Sequence, residues 1–262
     1  MTSTHAPIIQ MQGIEKHFGS VIALAGVSVD IYPGECHCLL GDNGAGKSTF
    51  IKTMSGVHKP TKGEILFEGR PMHFGDPRDA ISAGIATVYQ DLAMIPLMSV
   101  SRNFFMGNEP IRRLGPLKLF DHDYANRVTM EEMRKMGINL RGPDQAVGTL
   151  SGGERQTVAI ARAVHFGAKV LILDEPTSAL GVRQTANVLA TIDKVRKQDI
   201  AVVFITHNVR HALAVGDRFT VLNRGQTLGT AQRGQITPDE LQDMMAGGQE
   251  LVALEDSLGG TV

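Results

Sequence analysis

One stretch of the sequence has the residue types and the spacing that phosphate chemistry needs. Residues 41–49 fit the pattern G-x-x-x-x-G-K-[S/T], whose glycines let a loop turn its backbone N–H groups toward a phosphate. Within it, Lys47 can reach the β- and γ-phosphates of a nucleotide, and the Ser48 hydroxyl can bind Mg²⁺. The whole stretch is therefore predicted to bind a nucleotide: Gly41, Asp42, Asn43, Gly44, Ala45, Gly46, Lys47, Ser48 and Thr49.

The segments on either side of this loop match those that such a loop requires. Residues 36–40 form a short apolar run typical of a strand, and residues 47–54 have the pattern of a helix that Gly56 is placed to end. The start of a helix carries a partial positive charge of roughly half a unit, which favours a bound anion. A glycine-rich turn without a ligand would not need both neighbours, so the sequence predicts a phosphate site.

Polar side chains also stand where three further apolar runs end. A continuous apolar run at residues 170–173 is typical of a parallel strand buried on both faces, and a similar run occupies residues 201–205. Because ligands bind beyond the carboxyl ends of parallel strands, these polar side chains are expected near Lys47. They are Gln90, Asp174, Glu175 and His207.

The acids and the histidine have distinct predicted roles. Asp174 stands where a P-loop enzyme holds Mg²⁺, with Ser48 on the other side. Glu175 can orient or deprotonate an attacking water, and removing a group in that role commonly costs about 10²- to 10⁴-fold in rate. The alternative is an exposed acidic turn before Pro176. His207 is predicted to contact the γ-phosphate, and with Glu175 it makes up the predicted catalytic pair.

Apolar alternation and turn residues predict an α/β fold around these side chains. Strands joined by a turn near residues 16–19 fill residues 8–32, and a strand pair at residues 63–72 would extend them into a small antiparallel sheet. Strands alternating with helices indicate a parallel sheet beside it. The predicted helices cover residues 77–84, 124–136, 151–166, 182–197, 208–215 and 237–246, and the late strands cover residues 219–222 and 227–231.

A mainly helical subdomain is predicted at about residues 91–165. Within it, residues 109–120 contain two prolines and the Arg112-Arg113 pair, a composition that favours an exposed connection. The methionines of residues 124–136 recur at helical spacing, and core packing is preferred to any cofactor role for them.

The composition excludes some functions. The net charge of −1 and the pI of about 6.8 give none of the basic surface that a nucleic-acid-binding chain needs. Residues 1–11 lack the pattern of a signal peptide, and no apolar run approaches the ~20 residues that span a bilayer. The 262 residues are expected to form one domain, residues 1–246, followed by a mobile acidic tail at residues 247–262.

The sequence Cys36-His37-Cys38 invites interpretation as a metal site. On a strand, the two cysteines face one side and the histidine faces the other, so they cannot jointly close a tetrahedral site. Two cysteines also make no disulfide framework, which suits a reducing cytoplasm. Core packing is therefore the expected role of all three side chains.

Taken together, these residues resemble the ATPase subunit of an ABC transporter. The resemblance covers nearly the whole chain, and the string LSGGERQ is its most specific part, since a phosphate loop alone would leave many NTPase families open. It rests on these features, in the family's order and spacing: the phosphate loop, Gln90, residues 150–156, Asp174, Glu175 and His207.

The resemblance implies further nucleotide contacts. Phe18 would stack on adenine, and Gln90 would touch Mg²⁺ or the attacking water and sense a transmembrane partner. Ser151 and Gly153 would contact the γ-phosphate of ATP held by the opposite subunit. Gly152 and Gln156 belong to the same motif. The chemistry of the residues agrees, because Ser151 can cap a helix whose free N–H groups form an anion site.

The resemblance also implies partners and cofactors. ATP and Mg²⁺ would be sandwiched between one subunit's phosphate loop and the other's LSGGERQ motif, so a homodimer is expected. The chain would dock on permease subunits at the cytoplasmic face of the bacterial inner membrane, with residues 91–108 as the expected contact region. It would meet a periplasmic sugar-binding protein only indirectly, and it would have no nucleic-acid partner.

One detail of the sequence departs from the family pattern, and another indicates a group within the family. Gly181 stands where family members often carry an aspartate, which puts the usual contact between the two sites of a dimer in doubt. Residues 41–49, 84–91 and 100–107 are similar to ATPases of bacterial monosaccharide importers of the ribose, xylose and fructose type. An ABC ATPase for another cargo, a soluble ABC protein acting without a permease and a non-hydrolysing regulatory protein remain the alternatives.

Overall fold

Two β-sheets, a hairpin and flanking helices make up the structure, a computed structural model that describes residues 6–246. The strands are β1 (Ile9–Phe18), β2 (Val21–Ile31), β3 (Cys36–Leu40), β4 (Lys62–Phe67), β5 (Arg70–Pro71), β6 (Ile85–Val88), β7 (Ile111–Leu114), β8 (Leu117–Phe120), β9 (Val170–Asp174), β10 (Ala201–Ile205), β11 (Arg218–Asn223) and β12 (Gln226–Gln232). The helices are α1 (Lys47–Met54), α2 (Pro77–Ala83), α3 (Val100–Phe104), α4 (His122–Met136), α5 (Gly152–His165), α6 (Val182–Arg196), α7 (Val209–Val215) and α8 (Pro238–Met245). The tail predicted at residues 247–262 lies outside the described residues.

The larger sheet confirms the predicted parallel α/β core. Its strand order is β12-β11-β3-β10-β9-β6, and β11, β3, β10, β9 and β6 run parallel to one another. The apolar runs of β9 and β10 are buried along their length, as continuous apolar strands in such a sheet should be. This order sets the carboxyl ends of β3, β10, β9 and β6 side by side along one edge.

The smaller sheet confirms the predicted N-terminal antiparallel unit. Its order is β2-β1-β4-β5, and β1 pairs antiparallel with both β2 and β4. The buried side chains of Ile9, Met11 and Ile14 share one core cluster with Leu39 of β3 and Ile172 of β9. The antiparallel sheet therefore covers one face of the parallel sheet.

A second apolar cluster joins the other face of the parallel sheet to α3, α4, α5 and α6. Met133 and Met136 are buried in it, and Val128 and Met130 pack against it. These side chains therefore lie in or against the core, as the prediction of core packing for them requires. Met133 and Met136, three residues apart, lie on one face of α4, and α3 and α5 pack against the helix.

Residues 109–120, predicted only as an exposed connection, contain two strands. β7 and β8 pair antiparallel around a turn at Gly115-Pro116. The two prolines misled the prediction, because Pro110 precedes the first strand and Pro116 lies in the turn, so neither removes a hydrogen bond from the ladder. The predicted exposure is confirmed, since all four residues of β7 are exposed.

The Cys36-His37-Cys38 segment lies in the core, as expected. Both cysteines are buried as free thiols, and the His37 Nε2 atom is hydrogen-bonded to the Thr220 hydroxyl at 2.8 Å. Burial, and secondarily the nearby Arg218 cation, lower the pKa of His37 to about 4. Within residues 6–246 no cluster of three or more His, Cys, Asp or Glu side chains could hold a metal ion. None of the described helices is long and apolar enough to cross a bilayer.

Candidate nucleotide site

The phosphate loop between β3 and α1 holds its shape through glycines and backbone hydrogen bonds. Gly41 and Gly46 have φ angles of 148° and 101°, which L side chains rarely adopt. A Cβ on Gly41 would overlap the carbonyl oxygen of Leu222. The turn between β11 and β12 fixes the middle of the loop, because the Gly225 N–H donates to the Ala45 carbonyl at 2.9 Å.

Lys47 is the first residue of α1, and its side chain returns to the loop. Its Nζ atom donates to the carbonyls of Gly41 at 2.7 Å and Asp42 at 3.0 Å, and the residue is only 8% exposed. Burial lowers the pKa of Lys47, while the carboxylate of Glu175, among other nearby acids, acts to raise it. The ammonium is thus held beside the loop by weak, neutral acceptors that a phosphate can replace.

The loop borders a cavity of about 430 Å³, here called the phosphate cavity. Residues 43–49 of the loop line one side of it. Val21, Ile22 and Ala23 at the start of β2 and Arg224 of the β11–β12 turn line the rest, and the sequence reasoning missed all four. Arg224 is brought there by long-range pairing, so only the exposed apolar pair Val21-Ile22 offered a local signal.

Phe18, predicted to stack on adenine, lies at the end of β1 and does not line the phosphate cavity. Its ring is half-exposed and packs edge-on against His58, with centroids 5.2 Å apart. The Lys16 ammonium lies 5.1 Å from the same ring. A single β-turn separates Phe18 from Val21, which lines the cavity. The exposed ring of Phe18 suits stacking on an adenine that extends out of the cavity.

The strand ends bring Glu175 and His207 together. The His207 Nδ1 atom lies 2.9 Å from the Glu175 Oε1 atom, although 32 residues separate the two in sequence. The Glu175 N–H donates to the Ile205 carbonyl at 3.0 Å, and Glu175 itself has a φ of 49°, uncommon for a residue with a side chain. Hydrogen bonds to the end of β10 and to His207 just beyond it therefore hold Glu175 in a strained backbone conformation, as found at functional sites.

Asp174 lies half-buried at the end of β9. Burial, and then the adjacent Glu175 carboxylate, raise the pKa of Asp174, while the Lys47 cation opposes them. A cation bound at Asp174 would relieve that penalty. The predicted Mg²⁺ ligands Asp174, Ser48 and Gln90 supply carboxylate, hydroxyl and amide oxygens. Such donors fit Mg²⁺, which binds a few protein oxygens together with substrate phosphates.

His211 is a residue near the site to which the sequence analysis gave no role. Its Nδ1 atom lies 3.0 Å from the Thr177 hydroxyl, in the turn that follows Glu175. Burial, and then the charge of His207, lower the pKa of His211. The contact ties the turn after Glu175 to α7, and because it joins distant segments, no local pattern could have indicated it.

The LSGGERQ segment begins α5 with the predicted capping box. The Glu154 N–H donates to the Ser151 Oγ atom at 3.3 Å, and the Ser151 N–H donates to the Glu154 Oε2 atom at 2.7 Å. A Cβ on Gly152 or Gly153 would press on Leu180 or Gln184 near the start of α6. The two glycines therefore let α5 and α6 approach closely.

A second cavity, of about 650 Å³ and here called the signature cavity, opens beside the start of α5. Gln90, Gly152 and Gln156 line it, which places three predicted nucleotide-binding residues together. The Gln156 side chain is buried, and its Oε1 atom has no hydrogen-bond partner among residues 6–246. Ser151 and Gly153 adjoin these lining residues in sequence. In the described part of the chain, the signature cavity and the phosphate cavity share no lining residue.

Gly181 begins α6 at the point where the sequence departs from the family pattern. It is the N-cap of the helix, with no side chain to accept a hydrogen bond from the first turn. Ala179, two residues before it, has a φ of 58°. Helix α6 therefore begins without a side-chain cap.

The sequence and the fold agree in assigning a family. The model of the ABC transporter family matches residues 24–178. The chain belongs to the ABC transporter family.

Individual relatives refine that class. The chain is 41% identical to the fructose import ATP-binding protein FrcA of Rhizobium meliloti, over 93% of this chain and 95% of that one. It is also 41% identical to the xylose/arabinose import ATP-binding protein XylG of Sulfolobus acidocaldarius, over 91% and 93%. A ribose import ATP-binding protein, RbsA 2 of Streptomyces avermitilis, is 40% identical over 92% of this chain, which spans only 47% of that protein.

Solved structures share the fold. An ATP-binding cassette of an ABC transporter, in its ADP conformation, superposes with a TM-score of 0.80 at 22% identity, covering 95% of this chain and 98% of that one. A bacterial ABC transporter cassette solved as a dimer has a TM-score of 0.72 at 24% identity, covering 87% and 100%. These likenesses confirm the predicted ABC ATPase fold.

Proposed function

We propose that this chain hydrolyses ATP and thereby energises a permease that imports a monosaccharide. One observation carries the catalytic part: the carboxyl edge of the parallel sheet brings the phosphate loop, Asp174, and the hydrogen-bonded Glu175–His207 pair to adjacent strand ends. The names of the relatives support the import of a sugar such as fructose, ribose or xylose. None of the rival functions has a comparable observation in its favour.

Each group has a proposed step. The loop N–H groups and Lys47 bind the phosphates, and Lys47 exchanges its carbonyl partners for phosphate oxygens. Glu175 orients a water or takes its proton, and His207 holds the Glu175 carboxylate in position and contacts the γ-phosphate. Asp174, Ser48 and Gln90 would hold Mg²⁺, which neutralises developing charge on the phosphates when bound.

A second copy of the chain would complete the site. The phosphate cavity lies apart from the capped start of α5, so one copy presents its phosphate loop and its LSGGERQ motif on separate surfaces. The free N–H groups of a capped helix favour an anion, and Ser151 and Gly153 would offer them to the γ-phosphate held by the other copy. The related cassette solved as a dimer supports pairing.

An apolar groove of about 340 Å³ next to Gln90 is the proposed permease contact. Leu92 and Met94, within the predicted contact region, line it together with Tyr89, Asn108 and Phe166. An apolar segment of the permease is the proposed occupant, because the groove is lined mainly by apolar side chains and the relatives are named as import proteins. The chain would then lie at the cytoplasmic face of the inner membrane and meet a sugar-binding protein only through the permease.

The test of the catalytic assignment is Glu175→Gln. Steady-state ATP turnover should fall by about 10²- to 10⁴-fold while ATP still binds, because the amide keeps the shape of Glu175 but cannot act as a base. Glu64→Gln, an exposed acid on β4, is the matched control and should keep wild-type turnover. Turnover of Glu175→Gln near the wild-type rate would refute the assignment, and absent turnover in the wild type would favour a non-hydrolysing regulator.

The test of the transport assignment uses the intact complex. The chain is co-expressed with a candidate sugar permease, purified with it and placed in proteoliposomes. ATPase activity should rise when the transported sugar and its binding protein are added. Copurification with a permease for a different cargo, or with none, would contradict sugar import without affecting the catalytic assignment.

A further inference from the structure

The β7–β8 hairpin is an unusual feature of the helical region. Its two strands form a two-stranded sheet of their own, with Gly115-Pro116 at the turn. Such a ribbon is only marginally stable in water unless something packs against it. At its base, the Asp121 N–H donates to the Pro110 carbonyl at 2.8 Å, so the hairpin is anchored there and its tip extends outward.

The hairpin exposes aliphatic side chains. Ile111 is 57% exposed, Leu114 61%, Leu117 59% and Leu119 49%. The strand register places the three leucines on the same face, with Leu114 directly opposite Leu117 at the tip. A cluster of exposed aliphatic side chains at the end of a projecting element is typical of a surface that contacts another apolar phase or partner.

The same ten residues carry only positive charge. Residues 111–120 contain Arg112, Arg113 and Lys118 and no acid. None of the three cations forms an ion pair with a described residue. Arg112 shares the leucine face, while Arg113 and Lys118 lie opposite each other on the second face. Cations on both faces of an apolar tip fit an extended anionic surface better than a one-sided protein pocket.

The hairpin starts at the rim of the apolar groove. Asn108, three residues before β7, lines that groove. If the groove receives a permease, the hairpin lies on the membrane side of the chain; in this respect the inference rests on the proposed function. Exposed leucines next to unpaired cations are the combination that binds the interface of an anionic bilayer.

We propose that the β7–β8 hairpin contacts the anionic phospholipid surface of the membrane directly. Leu114, Leu117 and Leu119 enter the headgroup region, and the neighbouring cations bind lipid phosphates. The ATPase subunit would therefore reach the membrane by two routes, through the permease and through its own hairpin.

Vesicle cosedimentation of the full chain tests the charge requirement. The wild type should sediment with vesicles of phosphatidylglycerol and phosphatidylcholine but not with phosphatidylcholine alone. Removing three cations should lower the partition coefficient roughly a hundredfold, given what each cation contributes near an anionic surface. The test variant is Arg112→Gln, Arg113→Gln and Lys118→Gln, and its control of equal charge is Arg70→Gln, Arg78→Gln and Arg141→Gln. Equal binding by the two variants, or no binding by the wild type, would overturn the proposal.

Tryptophan fluorescence locates the contact, because the chain contains no tryptophan. Leu117→Trp places one probe at the hairpin tip, and Leu228→Trp places a control on the half-exposed side chain of β12. Anionic vesicles should shift the emission of Leu117→Trp to shorter wavelength and leave that of Leu228→Trp unchanged. A shift on adding detergent-solubilised permease but not vesicles would mean a protein occupant and would refute lipid contact. The vesicle measurements in both experiments are made without a permease, so their failure is distinguishable from failure of permease coupling.

Discussion

The phosphate cavity and the signature cavity are built in different ways. Backbone atoms hold the phosphate loop beside the first: Gly41 packs against the Leu222 carbonyl, and the carbonyls of Gly41 and Asp42 accept hydrogen bonds from Lys47. Side chains shape the second, where Gly152 faces the flexible Leu180 and the buried Gln156 amide oxygen has no partner among the described residues. Contacts with fixed backbone atoms therefore shape the loop beside one cavity, and contacts with movable side chains shape the wall of the other.

The two cavities offer different groups to the proposed site. The phosphate loop offers backbone N–H groups and the Lys47 ammonium, and the signature side offers the start of α5. In the proposed dimer, the phosphate loop of one copy and the LSGGERQ motif of the other bind the same nucleotide.

The largest expected effect comes from mixing two inactive variants. Lys47→Ala disables the phosphate loop and Ser151→Arg blocks the signature helix, so each homodimer should be inactive. Random pairing should restore about a quarter of wild-type ATP turnover, because half of the dimers are mixed and each mixed dimer has one complete site. Turnover is measured before and after mixing, with circular dichroism as the folding control. Mixtures that remain inactive would refute a site shared between copies.

Alanine substitutions at Gly41, in the phosphate loop, and at Gly152, in the wall of the signature cavity, compare the rigidity of the two regions. Gly41→Ala should lower the free energy of unfolding by about 3 to 5 kcal/mol, because it adds backbone strain and a clash with a fixed carbonyl. Gly152→Ala should cost about 1 kcal/mol, because the added methyl meets a leucine side chain that can move. Urea denaturation of the nucleotide-free proteins measures both values. Equal costs would contradict the contrast between backbone and side-chain walls.

Asp174→Asn tests how much the half-buried Asp174 carboxylate destabilises the folded state when no cation is bound. The fold raises the pKa of Asp174 above its ordinary 3.8, so the folded state retains this proton to higher pH than the unfolded chain. The wild type therefore loses stability as the pH rises through the folded pKa of Asp174. The variant does not lose it, because an asparagine side chain does not titrate. At neutral pH without Mg²⁺ we expect Asp174→Asn to be roughly 0.5 kcal/mol more stable, a small gain because solvent screens the half-buried group. Urea titrations across pH check this, and a less stable variant would contradict it.

The smallest expected effect is at Gly181. Gly181→Asp should raise the free energy of unfolding by a few tenths of a kcal/mol, because the new carboxylate can cap α6. Gly181→Ala offers no cap and should be less stable than both the wild type and the aspartate variant. Thermal melts of the three proteins give the order, and a wild type more stable than Gly181→Asp would show that the first turn of α6 needs the glycine.

Local features of the sequence predicted local structure well. The phosphate loop and the capping box of α5 depend on residues a few positions apart, and both lie where predicted. The hairpin at residues 111–120 was missed because a proline signals a break without saying whether it falls inside a strand or at its turn. Arg224 and His211 were missed because their positions depend on contacts between distant segments.

The sequence alone determined the chemistry that is available. It supplied the glycine-rich loop, the paired acids, the LSGGERQ string and the apolar runs that must be buried, because motif and burial pattern are properties of residue type and spacing. Tertiary structure decided which of these groups meet. Strand order brought His207 within hydrogen-bond distance of Glu175, and it separated the phosphate cavity from the signature cavity. The physical reason is that strand pairing and helix packing fix distances between residues far apart in the chain, which local spacing does not constrain.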